Sequence, residues 1–188
     1  MTEPVSQRKN VVTNGDIVGG DKIVNNNLPT TTKLSRLFER LKAEYGDGNK
    51  VDNIIDDLKR FSEPRDIIGL EKKLQDGDRL DLLEDAAWLK QEYAKKLTHY
   101  QFFEPAQEIH AYLLSVVFEK FRNIVYPMMQ TNRPNAEISK AISNEVIGPV
   151  MQIIQEHGCD DIMGLSHADV EGMIYYLTGL CHIKWTKV

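Results

Sequence analysis

From Thr32 onward, apolar residues recur at the three- and four-residue spacings of a helix face, and before it they do not. Leu34, Leu37, Phe38, Leu41 and Tyr45 make one stripe, and Gly46 is placed to end it, so Thr32 to Tyr45 reads as a first helix. A short second helix follows from about Val51 to Phe61. Pro64 suits a first helical position and opens a third, to about Gln75, stopped by Asp76-Gly77. The fourth, from about Leu80 to Thr98, sets Leu82, Ala86, Leu89, Tyr93 and Leu97 on one face and charge on the other.

Pro105 opens a fifth helix that runs to about Met128. Its two stripes, Ile109-Leu113-Val116 and Ala111-Leu114-Phe118-Phe121-Val125, mark it as the central helix of a bundle. Asn135 is the expected cap of a sixth, with Ile138, Ile142, Val146, Val150 and Ile153 inward. Gly148-Pro149 predicts a kink in it, because proline removes a backbone hydrogen bond and crowds the preceding turn. Ser166 and Asp169 have the spacing of a capping box and start the last helix. No segment after Thr32 alternates like a strand. Residues 32–188 are therefore expected to form an all-α, multi-helix bundle of about seven helices.

Residues 1–31 form a separate, Asn- and Gly-rich leader. Asn14-Gly15 between Val11-Val12-Thr13 and Asp16-Ile17-Val18 is a two-residue hairpin signal, and Gly19-Gly20-Asp21 makes a second turn before Lys22-Ile23-Val24. Strands this short bury too little to stand alone. Either the leader is disordered, or its strands pair with other copies or a partner through Ile17, Val18, Ile23 and Val24, giving a homo-oligomer.

Length and charge narrow the classes. The 188 residues allow one domain with an appended segment, and Lys+Arg 23 against Asp+Glu 28 gives a net charge of -5. Lys72-Lys73 and Lys95-Lys96 sit among carboxylates, so direct nucleic-acid binding by this chain alone is unsupported. Two cysteines, no signal-peptide pattern and no apolar run near the roughly 20 residues that span a bilayer predict a soluble, cytoplasmic protein without a membrane segment.

The stretch from Val170 to Trp185 carries the densest information. Read as one helix, it places Val170, Met173, Leu177, Cys181 and Lys184 on one stripe and Gly172, Tyr175, Tyr176, Gly179 and His182 on another. The residue types His157, Cys159, His167, Cys181 and His182 suit zinc, but their spacing does not, and adjacent Cys181 and His182 point about 100° apart on a helix. Nucleophilic catalysis by Cys181 would need His182 or His110 as base and an electropositive setting, and Cys181 lies in the least charged part of the chain. The acidic pairs Asp56-Asp57, Glu84-Asp85 and Asp160-Asp161 read as solvated surface. Gly19-Gly20-Asp21-Lys22 lacks phosphate-loop spacing. No catalytic, metal or cofactor residue is assigned, and no cofactor is expected. What remains is interaction logic. Gly172 and Gly179 permit close backbone approach, and Tyr175, Tyr176, His182 and Trp185 bring hot-spot residue types, so these six are the candidates for docking a partner. The same features would equally serve a helix buried in the chain's own bundle.

The run Gly172-Met173-Ile174-Tyr175-Tyr176-Leu177-Thr178-Gly179-Leu180-Cys181-His182-Ile183-Lys184-Trp185 resembles the closing motif of C-terminal domains in bacterial ABC-three component systems. Pro105 to Tyr112 and Ile124 to Pro127 resemble that family's central helix, and the likeness extends over about Leu80 to Trp185. The resemblance implies an all-helical domain working with an SMC/Rad50-like ABC ATPase and a small middle component, in defence against phages and plasmids. Family members commonly carry an enzymatic effector domain ahead of this region, whereas here a short leader and three small helices precede it. Leu180 also stands where the family pattern often has Asn. The expected function is thus a non-enzymatic interaction subunit that couples the ATPase to an effector or to another small component. The alternative is a small effector hydrolase or nuclease, which would gather several of His99, His110, His157, His167 and His182 with acids in one cleft. A third is an immunity or antitoxin-like binder.

Overall fold

The computed structural model describes residues 32–66, 68–157 and 162–185. The chain divides between Thr30 and Thr31, and the described residues all belong to the second unit. The leader strands, with Ile17, Val18, Ile23 and Val24, and Cys159 lie outside the described residues.

Seven helices and no strand occur among the described residues. They are α1 (Lys33–Asp47), α2 (Asp56–Ser62), α3 (Leu70–Asp76), α4 (Leu83–Tyr100, entered through a 3-10 turn at Leu80–Leu82), α5 (104–130), α6 (135–156) and α7 (His167–Gly179). Local chemistry sets several of the ends. The Thr32 hydroxyl accepts from the Ser35 N–H at 3.1 Å and starts α1. Gly48, with φ 71°, ends it one half-turn beyond Gly46. The box at Ser166 and Asp169 forms as the spacing predicts.

Three starts differ from the sequence reading: Asn135 is the first residue of α6 and not its cap, its side chain donating instead to the Asp78 carbonyl at 3.0 Å, and at two others long-range pairing wins over local propensity. Residues 51–55 stay out of α2, since the Val51 N–H donates to the Phe102 carbonyl at 2.7 Å and the Ile55 N–H to Gln107 Oε1 at 2.6 Å. Pro64 does not open α3, which begins six residues later behind Gly69. The intervening segment serves the C-terminal end of the chain instead, with the Arg65 N–H donating to the Leu180 carbonyl at 3.0 Å.

Both long helices contain a proline and solve its problem alike. α5 passes through a π-helical stretch, Phe121–Val125, immediately before Tyr126-Pro127, and α6 through another, Ile142–Ile147, before Gly148-Pro149. The N–H preceding each proline's neighbourhood reaches five residues back, Tyr126 to the Phe121 carbonyl and Gly148 to the Ser143 carbonyl. The widened turn makes room for the proline ring. It also advances the helical phase by one residue. Ile138, Ile142, Val146 and Val150 face inward as predicted, but beyond the proline Ile154 is fully buried while Ile153 is only half-buried.

α5 runs through the centre of the bundle, touching α1, α2, α4, α6 and α7. Its buried Ile109, Leu113, Leu114 and Phe121 join Leu41, Leu58, Leu74, Tyr93, Met173 and Ile174 in one continuous core. The most extensive pairing is between α4 and α7. It is antiparallel, since Lys96 meets Asp169 while Leu89 and Tyr93 meet Gly172. A methyl group on Gly172 would sit 2.6 Å from the Leu89 carbonyl oxygen and 2.9 Å from Tyr93 Cβ, so backbone lies directly on backbone there. At Gly179 the nearest neighbours would be atoms of the flexible end of Lys90.

The two glycines should therefore separate in urea unfolding. Gly172→Ala is expected to lower stability by about 2–3 kcal/mol through overpacking, and Gly179→Ala to change it by less than about 1 kcal/mol. Equal effects would contradict the contact.

Candidate binding cleft

The final stretch is not one helix, which corrects the reading of Val170 to Trp185. α7 stops at Gly179, and Cys181 takes the left-handed conformation with φ 66°. The His182 N–H donates to the Leu177 carbonyl at 2.9 Å and the Cys181 N–H to that of Thr178 at 3.0 Å. This bond pair is a Schellman termination with cysteine where glycine is usual. The thiol compensates, donating toward the carbonyls of Asp66 at 3.3 Å and Ile68 at 2.9 Å. The buried Lys73 ammonium adds a cation at the helix end, donating to the Thr178 carbonyl at 2.6 Å.

Reversing the chain at Cys181 returns Trp185 to the bundle, where it is 1% exposed. Its indole N–H donates to Thr178 Oγ1 at 3.0 Å, its ring meets Phe121 edge-on at 5.2 Å and stacks with Tyr175 at 6.4 Å, and the Arg79 guanidinium lies over it at 5.5 Å. Gly77 has no side chain because Trp185 Cβ would lie 2.6 Å from one.

Of the six docking candidates, Gly172, Tyr175, His182 and Trp185 are buried within this unit, and Tyr176 and Gly179 are half-exposed. Tyr175 donates to Glu171 at 3.1 Å, and burial, followed by the nearby Glu171 charge, pushes its phenol well above the usual range. Tyr176 packs edge-on against Tyr93 at 5.4 Å. The structure thus uses most of this face inside the chain. An aromatic residue that is presented outward is Trp88, 59% exposed on α4. Its signal in the sequence was a tryptophan off the Leu82-Ala86-Leu89-Tyr93-Leu97 stripe, in the middle of a charged face.

The histidines are placed apart. His157 Nδ1 lies 3.1 Å from Thr32 Oγ1, His99 packs against Tyr100, His167 is the exposed first residue of α7, and His182 Nε2 lies 3.1 Å from the Glu63 carbonyl. His110 is fully buried, with Nδ1 3.1 Å from the Tyr93 hydroxyl and Nε2 without a partner. Burial first, and the Lys96 charge second, lower its pKa to about 3 against the opposing pull of Asp169, so it is a neutral core residue. Among the described residues no three of His, Cys, Asp and Glu are grouped to hold a metal ion, and no helix is long and apolar enough to cross a membrane.

One cleft of about 470 Å³ opens beside the returning segment. Arg65, Asp66 and Ile68 come from the segment before α3, Lys73 and Asp76 from α3, Phe118, Phe121, Arg122 and Tyr126 from α5, and Cys181 to Trp185 from the C-terminal end. Arg65 and Arg122 both stack on the Phe118 ring, at 5.7 and 5.6 Å from its centre. Asp76 is held by Lys72. His182 is 6% exposed, and burial, then the Arg65 charge, lowers its pKa. Because a carbonyl can only accept, the Glu63 contact assigns the proton to Nε2 and leaves Nδ1 a bare acceptor, which has no partner. Sequence reading missed this site since Arg65, Phe118 and Lys184 share no local pattern and meet only through the fold.

A family model described as C-terminal domain 9 (CTD9) of the ABC-three component (ABC-3C) systems matches residues 69–185, more than half of the chain. The match begins upstream of Leu80 and takes in α3 together with most of the cleft. No curated protein and no solved structure matches.

Two outcomes follow from the buried groups. Left-handed backbone disfavours a Cβ by about 1 kcal/mol, so Cys181→Gly is expected to be more stable than Cys181→Ala by about that amount in urea unfolding, although it buries less. The reverse order would mean that Cys181 is not left-handed. For His110, the unfolded chain takes up a proton below pH 6.5 while the folded one resists to about 3. Its contribution to stability is full above 6.5 and is lost as the pH falls through that window. Between pH 7 and 5 the wild type should lose about 2 kcal/mol more than His110→Gln. Equal losses would show that His110 titrates freely in the folded state.

Proposed function

We propose, since this chain belongs to the C-terminal domain 9 family of the ABC-three component systems, that it is a non-enzymatic helical interaction subunit there. It would couple an SMC/Rad50-type ABC ATPase to an effector or to another small component of a bacterial anti-phage or anti-plasmid system. The observation that carries this reading is the outward face of α4. Trp88 is presented to solvent there, and its helical neighbours are Glu84, Asp85, Gln91 and Glu92. A tryptophan inside a polar rim is the composition of an interface hot spot. The separation of the five histidines, each engaged with a different part of the bundle or with solvent, supports the same reading over a histidine-based active site. The close contact of α7 with α4 at Gly172 then serves as the frame that holds α4 rigid.

The test is co-expression with the products of the neighbouring genes, followed by gel filtration. The chain is expected to co-elute with an ABC ATPase or an effector. Trp88→Ala should weaken that association about tenfold or more while leaving the melting temperature unchanged, because the side chain touches little of its own bundle. A chain that elutes alone in the presence of both partners would remove the reading.

A further inference from the structure

We infer that the cleft bounded by Arg65, Phe118, Arg122, His182 and Lys184 binds an acidic peptide segment of a partner protein. The inference rests on the reading of this domain as an interaction subunit and adds a second surface to it, distinct from the face that bears Trp88.

Charge is the first argument. Arg65, Arg122 and Lys184 are exposed at the cleft, and among the described residues none of them has a carboxylate within ion-pair distance. The chain as a whole is acidic, at -5, whereas the cleft sets Arg65, Arg122, Lys184 and buried Lys73 against the carboxylates of Asp66 and Asp76, so its balance of charge departs from the average of the chain. Both guanidinium groups lie over the Phe118 ring, and although Arg122 Nε donates to Asn123 Oδ1 at 3.5 Å, the terminal N–H groups of both arginines face no carboxylate of this chain within ion-pair distance among the described residues. That is the geometry for bidentate capture of carboxylates.

The buried acceptor is the second argument. The His182 ring lines the cleft, more than nine-tenths of the residue is buried, and nothing donates to its buried Nδ1. A buried acceptor without a partner carries a desolvation penalty, and a ligand that donates to it removes the penalty. A fully ionised phosphate group brings acceptors only. A peptide brings carboxylates for the arginines and a backbone N–H for the imidazole. The aromatic rings also argue against a nucleotide. Phe118 is covered by two guanidiniums, and Phe121 and Trp185 are packed on each other, leaving half-buried Tyr126 as the remaining ring. The volume, about 470 Å³, is in the range of a short segment rather than a whole domain.

The measurement is fluorescence anisotropy on the purified full chain with a fluorescein-labelled hexapeptide of alternating aspartate and glutamate, beside its asparagine-glutamine counterpart. The acidic peptide is expected to bind, more weakly as salt is raised, and the neutral one not to bind. R65Q/R122Q should weaken binding about tenfold, and Lys184→Gln, a change at an exposed side chain that leaves the stacked arginines in place, about threefold. The nitrogen-15 resonance of His182 Nδ1 should move on adding the peptide. Equal binding of the neutral peptide, undiminished binding in both variants, or displacement by AMP or inorganic phosphate at equal concentration would overturn the inference. Failure here is separable from failure of the interaction reading. If the acidic peptide fails to bind while the wild type still co-elutes with a partner and Trp88→Ala weakens that association, the cleft proposal falls and the interaction reading stands.

Discussion

At Gly172 the backbone of the last helix rests on the backbone of α4 with no room for a methyl group, and the remaining arrangement depends on that contact. It sets how closely α4 and α7 lie, and so where every side chain between them must end. On one side of it, Asp169 closes the capping box and receives Lys96 at 2.8 Å. On the other side, α7 ends after two further turns, and the left-handed Cys181 sends the chain back across α3 and α5. Trp185 then fills the space between Arg79, Phe121 and Tyr175. Removing an indole so fully buried costs on the order of 3–5 kcal/mol, so the last described residue is as much a part of the core as any helix.

How much of this was legible in the sequence depended on whether the determinant was local. The starts of α1 and α7 were readable because the caps, Thr32 and Ser166 with Asp169, lie within one turn of what they cap. The core face of α4 was readable from its stripe, and the family from the closing motif. Three features were not. Residues 51–55 and Pro64 gave way to hydrogen bonds with distant backbone and with Gln107, which no local propensity records. The π turns before Pro127 and Pro149 shifted the phase, so a correct periodicity gave Ile153 where Ile154 is buried. At Cys181 the left-handed position carries a cysteine, hiding a helix end that a glycine would have advertised.

The site shows the same division. Glycine, tyrosine and tryptophan in the closing motif signalled close packing, and packing is what Gly172, Tyr175 and Trp185 do, within the chain itself. By consuming that motif internally, the fold leaves two other surfaces. One is the outer face of α4 with Trp88, and the other is the basic cleft that forms only when the returning segment lies beside Arg65 and Arg122.

The central claim is that residues 180–185 are an integral clamp of the bundle and not a separable tail. Native-state hydrogen exchange tests it directly, by comparing the indole N–H of Trp185 and the backbone N–H of His182 with the central amides of α4. These two protons are expected to exchange only with global unfolding, with the same opening free energy as the α4 amides. Exchange of the Trp185 indole many-fold faster than α4, through a local opening that leaves the helices intact, would contradict it.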